Sequence, residues 1–212
     1  MSIKDEEIDR QHCLAIVHEY HRCKDAFNLF AATAEKLYAT GQTREISYRA
    51  YNAYASFILH LYEFLVSLHA RDLGVSEIRD SYGRKKHELL DLLVQSTANK
   101  VVSNRISNIE AGIAPEWKNH ISSYQRLMPI PSAFAQSFRR MRNHVAGHVT
   151  YKRIGEIDLT KFYETYHPYL YLMYRDCGDW WANRSDEFPE LEQVTDFLGA
   201  IARALRTEDG AE

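Results

Sequence analysis

The run Tyr51-Asn52-Ala53-Tyr54-Ala55-Ser56-Phe57-Ile58-Leu59-His60-Leu61-Tyr62-Glu63-Phe64-Leu65-Val66-Ser67-Leu68 decides the fold of this chain. Tyr51, Tyr54, Ala55, Ile58, Leu61, Tyr62, Leu65 and Leu68 recur at helical spacing and cover most of the circumference, not a single stripe. A helix clad in this way is buried on more than one side, so it is expected at the centre of the molecule. It opens near Thr43, with Glu45 and Ile46 behind it, and runs towards Leu73-Gly74. Asn52, His60, Glu63 and His69 interrupt the apolar run from Ala50 to Ala70, which argues against a membrane span. Glu63 stands in the middle of that run. It reads either as a carboxylate at the helix edge or as the partner of a cationic site.

Working outward, Ile8, Leu14, Val17, Phe27, Phe30, Ala34 and Leu37 mark an earlier helix that Gly41 should stop. A connection around Val75 to Gly83 leads to a helical stripe from Arg84 to about Ile109, polar enough in its middle to allow a break. Ala111 to Pro115 is a turn, and Pro115 suits the first turn of a short helix through Met128. Pro129 and Pro131 end that helix, and Ser132 is the expected N-cap of the next, whose buried stripe is Phe134, Phe138, Met141 and Val145. After Gly155, Asp158 should cap a Tyr- and Trp-rich segment from Leu159 to about Arg184, which Pro168 should kink or restart. A last amphipathic helix opens at Phe188-Pro189-Glu190.

Short turns between long amphipathic segments predict an all-α, up-and-down helical bundle. Residues 1–184 form its body, 185–206 a C-terminal amphipathic helix packed on the same domain, and 207–212 a disordered tail. With 26 Lys and Arg against 29 Asp and Glu, the net charge of −3 excludes non-specific coating of nucleic acid, so any such contact must be local. The 3 cysteines, Cys13, Cys23 and Cys177, form no Cys-x-x-Cys pair, and the acidic start has no apolar run. Both features point to a reducing, cytoplasmic setting without disulfides.

Chemistry concentrates in Arg139-Arg140-Met141-Arg142-Asn143-His144-Val145-Ala146-Gly147-His148, followed by Tyr151, Lys152 and Arg153. His144 and His148 are four apart, as two metal-binding imidazoles would be. The zinc-protease pattern needs a glutamate at the position of Val145, and no further ligand follows at suitable spacing, so no metal or other cofactor is expected. A Gly-x-Ser-x-Gly elbow and a phosphate-cradling glycine loop are both missing. Metal-independent work on a phosphodiester remains. It needs a proton acceptor, a proton donor and a fixed cation for the charge growing on phosphorus. Histidine can take either proton role, and arginine's planar fork grips two phosphate oxygens. Arg-to-His pairs of this spacing run from Arg139 to His144 and from Arg142 to His148; the polar Asn143 behind Arg142 favours the latter. On an ideal helix Arg142 and His148 point about 120° apart and lie about 9 Å apart along the axis. A bend at Gly147 or a second chain across a two-fold axis could bring them together.

Arg142-Asn143-His144-Val145-Ala146-Gly147-His148 resembles the signature of the HEPN superfamily, small helical bundles many of which are ribonucleases. The abortive-infection and toxin branches look closest. The resemblance implies a HEPN-type bundle with Arg142 and His148 as catalytic residues, Asn143 supporting them, and a site facing its copy in a homodimer. It implies metal-independent cleavage of RNA in a toxin–antitoxin or anti-phage role, with an antitoxin protein as a possible partner. Arg139, Arg140, His144, Tyr151, Lys152 and Arg153 would then contact RNA. Two other readings stand beside it. One is a non-catalytic helical module that binds RNA, a nucleotide or a protein partner. The other is a dimerisation module built on Tyr163, Tyr166, Tyr169, Tyr171, Trp180 and Trp181, although such aromatics more often belong to the core.

Overall fold

The computed structural model describes residues 6–76, 78, 86–114, 120–147, 157–182, 196–201 and 203. Among them the chain is helical throughout its regular elements: α1 Glu6–Thr40, α2 Arg44–Leu73, α3 Lys86–Glu110, α4 Ile121–Gln125, α5 Phe134–Met141, a π-helical turn Arg142–Gly147, and α6 Leu159–Ala182. The all-α class expected from periodicity is the class observed, and no described helix is long and apolar enough to cross a membrane.

The long antiparallel pair α1–α2 is set by local chemistry at its turn. Gly41 takes a left-handed φ of 80° that a side chain would resist, and its N–H reaches Leu37 O at 3.0 Å. Thr43 then caps α2 by accepting the Ile46 N–H on its hydroxyl at 3.1 Å. At the other end Gly74, with φ 65°, closes α2 as its C-cap. Arg71 grips both carboxylate oxygens of Asp9, at 2.6 and 3.0 Å, and clamps the open end of the pair.

α2 is the central helix. Its Phe57, Ile58, Leu61, Phe64 and Leu65 are almost fully buried. They belong to one core with Ile16 and Cys23 of α1, Val94, Val101 and Val102 of α3, Phe134 and Phe138 of α5, and Leu170 and Met173 of α6. α6 approaches α1 closely where Gly178 meets Tyr20; a methyl group there would come within 2.7 Å of the tyrosine ring. The α6 tyrosines face mainly inward: Tyr169 is buried and donates to Leu127 O at 3.1 Å, Tyr166 and Tyr171 are half-buried, and Tyr163 is partly exposed. The side chains of Trp180 and Trp181 lie outside the described residues.

Several boundaries differ from expectation. Ser132 does not cap α5. Ala133 takes the N-cap position with no side-chain bond, Phe134 N–H turns back to Pro131 O at 2.9 Å, and Ala135 N–H is satisfied by Gln95 Oε1 of α3 at 3.2 Å. The α5 entry is therefore pinned by a neighbouring helix. Pro168 does not restart α6, which runs through it from Leu159 to Ala182, and α3 is unbroken from Lys86 to Glu110. The short helix placed after Pro115 is Ile121–Gln125, with Pro115 itself outside the described residues. Asp158 does cap α6, accepting the Lys161 N–H at 2.8 Å. Of the C-terminal helix, residues 196–201 are helical and leave Phe197 and Leu198 exposed; 207–212 lie outside the described residues.

His167 of α6 sits among Phe30, Tyr54 and Tyr163, its Nδ1 3.1 Å from the Tyr54 hydroxyl. Burial pushes its pKa down to about 4. The unfolded chain takes up that proton near pH 6.5 and the folded one only near 4. Stability from this group is thus complete above pH 6.5 and lost as pH falls towards 4. Denaturant titrations across that window should show a loss of about 2 kcal/mol after allowing for partial solvent access, and His167→Asn should flatten that part of the profile.

Candidate functional site

The α5 register follows from its apolar residues. Phe134, Phe138, Met141 and Val145 are buried, so Arg139 and Arg142 emerge along the flank that meets α3 and α2, while Arg140 lies on the other flank. From Arg142 the helix widens into the π-helical turn, which keeps Val145 fully buried against the core. Gly147 was expected to be where the helix yields; the departure from α geometry begins five residues earlier, at Arg142. Single π turns inside helices are rare and often accompany functional sites.

Arg142 is the centre of the arrangement. Its Nη2 donates to the Glu63 carboxylate of α2, and its Nη1 donates to Asn143 Oδ1 at 2.9 Å. Its Cζ lies 5.8 Å from the centroid of the Tyr62 ring, within cation–π range. Tyr62 is in turn held edge-on by Phe138, with centroids 5.2 Å apart. Burial, reinforced by the nearby Asp91 and Glu63 carboxylates and opposed by Arg139 and Arg142, pushes the Tyr62 phenol up to about 12, so it stays protonated. Three side-chain atoms here, Arg142 Nε, Tyr62 Oη and His144 Nδ1, are sealed from solvent and have no hydrogen-bond partner among the described residues. About a quarter of the Arg142 side chain remains open.

The arginines have separate jobs. Arg139 gives its whole fork to Asp91 of α3, Nε at 2.8 Å and Nη2 at 2.9 Å, and the bond to Asp91 raises its already high pKa. That makes Arg139 a brace between α5 and α3, not an open cation for a strand of RNA. Arg140 is exposed and lines a cleft of about 540 Å³ with Ser137, Met141, Lys161, Phe162 and Tyr166. His144 is half-buried on the π turn. His148, Tyr151, Lys152 and Arg153 lie outside the described residues.

Sequence reasoning singled out Glu63, and the structure gives it the cationic partner that its place in an apolar run suggested. It missed Tyr62, Asp91 and Gln95, whose roles depend on helices 40 or more residues away and carry no local signature. It also missed a polar pair between α1 and α2. His60 Nδ1 lies 2.7 Å from Glu19 Oε1, and Arg22 reaches the other Glu19 oxygen at 3.3 Å. Cys23 and Cys177 are buried, and burial raises both thiols, Cys177 to about 12, which leaves neither suited to nucleophilic work. Among the described residues no group of three or more His, Cys, Asp or Glu is placed to hold a metal ion.

No family model, curated protein or solved structure matches this chain.

The brace and the centre can be told apart by stability. Arg139→Ala strands the Asp91 carboxylate beside Tyr62 and should cost about 1–2 kcal/mol in urea denaturation, below the ~3–5 kcal/mol of a fully buried pair because each side chain keeps some solvent contact. Adding Asp91→Asn should recover part of the loss, while Asp91→Asn in an Arg142→Ala background should be nearly additive.

Proposed function

We propose that this protein is a metal-independent endoribonuclease of HEPN type, acting in a toxin–antitoxin or anti-phage role, as a homodimer and under the control of an antitoxin protein. The observation that carries this reading is the organised Arg142–Asn143 pair. Asn143 orients one end of the guanidinium and Glu63 the other, at a helix-to-π transition, while part of the side chain stays open to solvent. An arginine fixed in this way loses little freedom on gripping a phosphate, which favours a group that must stabilise charge in a transition state over one that merely attracts RNA. The all-helical bundle around it is the setting in which the HEPN-like motif has meaning.

In this reading Arg142 clamps the scissile phosphate, Asn143 holds Arg142, and His148 transfers a proton. Arg140, Lys152 and Arg153 supply weaker, salt-sensitive contacts to the strand. The same observation also favours a second reading. Glu63 neutralises much of the Arg142 charge, as it would in a non-catalytic module that binds RNA, a nucleotide or a protein partner.

Cleavage of RNA in EDTA separates the two. Wild type should cut, and His148→Ala should cut about 10²–10⁴-fold more slowly, with a comparable loss for Arg142→Ala. Equal cleavage by all three proteins, or loss of wild-type activity on chelation, would sink the enzymatic reading. RNA binding without product would support the second.

A further inference from the structure

Arg140 is two residues from Arg142 but about 200° around the helix, so the cleft it lines is separate from the Glu63–Arg142 corner. That cleft encloses about 540 Å³ between α5 and the first two turns of α6, a volume in the range of small-molecule sites. Two matching helix faces form it. Ser137, Arg140 and Met141 stand at i, i+3 and i+4 on α5. Lys161, Phe162, Thr165 and Tyr166 follow the Asp158 cap of α6 at the same helical spacing.

The floor of the cleft is apolar and fixed. Met141 and Phe162 are buried, and the Tyr166 ring packs on Phe134 and Phe162 with centroids 5.6 and 5.3 Å away. Its polar groups are mostly donors that the protein itself leaves unused. Arg140 and Lys161 are exposed, one on each wall, and neither has an ion pair among the described residues. Arg71, Arg105, Arg139 and Arg142, by contrast, are each committed to a carboxylate. The Ser137 and Tyr166 hydroxyls also form no hydrogen bond among the described residues. Thr165 donates its hydroxyl proton to Lys161 O at 2.7 Å. The one carboxylate of the lining, Asp158, gives Oδ1 to the α6 cap, where it accepts the Lys161 N–H at 2.8 Å. Two unpaired cations on facing walls, two idle hydroxyls and an aromatic floor together fit an anion that brings several acceptors and an organic body.

We infer that the α5–α6 cleft is a binding site for a small organic phosphate ester. A phosphate dianion matches the two cations in charge. Arg140's planar fork takes two of its oxygens and the Lys161 ammonium the third, while the Ser137 and Tyr166 hydroxyls donate to the lone pairs that remain. The organic part lies against Met141, Phe162 and Tyr166, and the second oxygen of Asp158 accepts from its hydroxyl groups. A carboxylate ligand, with two oxygens and one charge, leaves half of these donors unmet, and an apolar ligand leaves both cations without a partner. The inference goes beyond the ribonuclease reading and does not rest on it, because Arg142 takes no part in this cleft.

The test is calorimetric titration of the full chain with inorganic phosphate, ribose 5-phosphate and adenosine 5′-monophosphate, with ribose and adenosine as unphosphorylated controls. Esters of this size should bind with dissociation constants of about 10 μM to 1 mM, and the controls should not bind. Arg140 and Lys161 are exposed, so Arg140→Ala and Lys161→Ala should keep the fold, checked by circular dichroism. Each should weaken ester binding by about tenfold or more, and Arg140→Lys by less, since it keeps the charge. Arg142→Ala should leave the affinity unchanged. Equal binding of inorganic phosphate and the esters would overturn the ester and assign the cleft to free phosphate. Absence of binding by every phosphate compound, or affinities that neither Arg140→Ala nor Lys161→Ala alters, would overturn the site altogether. So would displacement of the ester by unphosphorylated single-stranded RNA, which would make both cations part of an RNA track. Cleavage of RNA in EDTA is a separate readout, so the ribonuclease reading can fail while this site stands, and the reverse.

Discussion

The burial of α2 on nearly all sides is the constraint on which the rest of this structure depends. Phe57, Ile58, Leu61, Phe64 and Leu65 are shared among α1, α3, α5 and α6, so any polar group α2 carries must lie at a rim and find a partner on another helix. Each does. His60 meets Glu19 of α1, His69 meets Thr97 of α3, Tyr54 meets His167 of α6, and Glu63 meets Arg142 at the end of α5. These contacts fix which face of each surrounding helix looks at α2. Apolar packing alone would specify that less sharply, since hydrophobic contact is non-directional.

The candidate site is a consequence of that arrangement. A carboxylate in the middle of an apolar helix is costly unless a cation reaches it, and the cation that does so begins the π turn. The nearby Arg139 is consumed by Asp91, which ties α5 to α3 and aligns the flank on which Arg142 stands. Tyr62 lies between the two ion pairs, touched by the field of both. Three sealed polar atoms at this corner, Arg142 Nε, Tyr62 Oη and His144 Nδ1, find no hydrogen-bond partner among the described residues. The rest of the described polar network, by contrast, is largely satisfied.

How much of this could be read from the chain depends on the range of the interaction. Gly41 as a stop, Thr43 and Asp158 as caps, and the Phe134–Phe138–Met141–Val145 stripe were all legible, because each involves residues within about one helical turn of one another. Glu63 was half legible. Its misplaced charge announced a partner, but nothing in the chain said which arginine, 79 residues on, would supply it. Ser132 was misread as a cap for the opposite reason: a good local signal lost to Gln95 of α3, which reaches both Pro131 O and Ala135 N–H. The pairing of His60 with Glu19 was not legible: His60 interrupts its apolar run, but nothing in the chain points to a carboxylate 41 residues back.

The sequence by itself determined that this chain is helical, roughly where the helices start and stop, and that α2 lies at the centre. Period and capping are encoded by near neighbours, and the core can be built only if the apolar faces meet. Only the tertiary structure decided which arginine is a brace and which stands at the site, which residue caps α5, and which imidazole a carboxylate holds. Those outcomes turn on a few ångströms between helices. At that scale a side chain's partner is set by crossing and register, neither of which a one-dimensional pattern records.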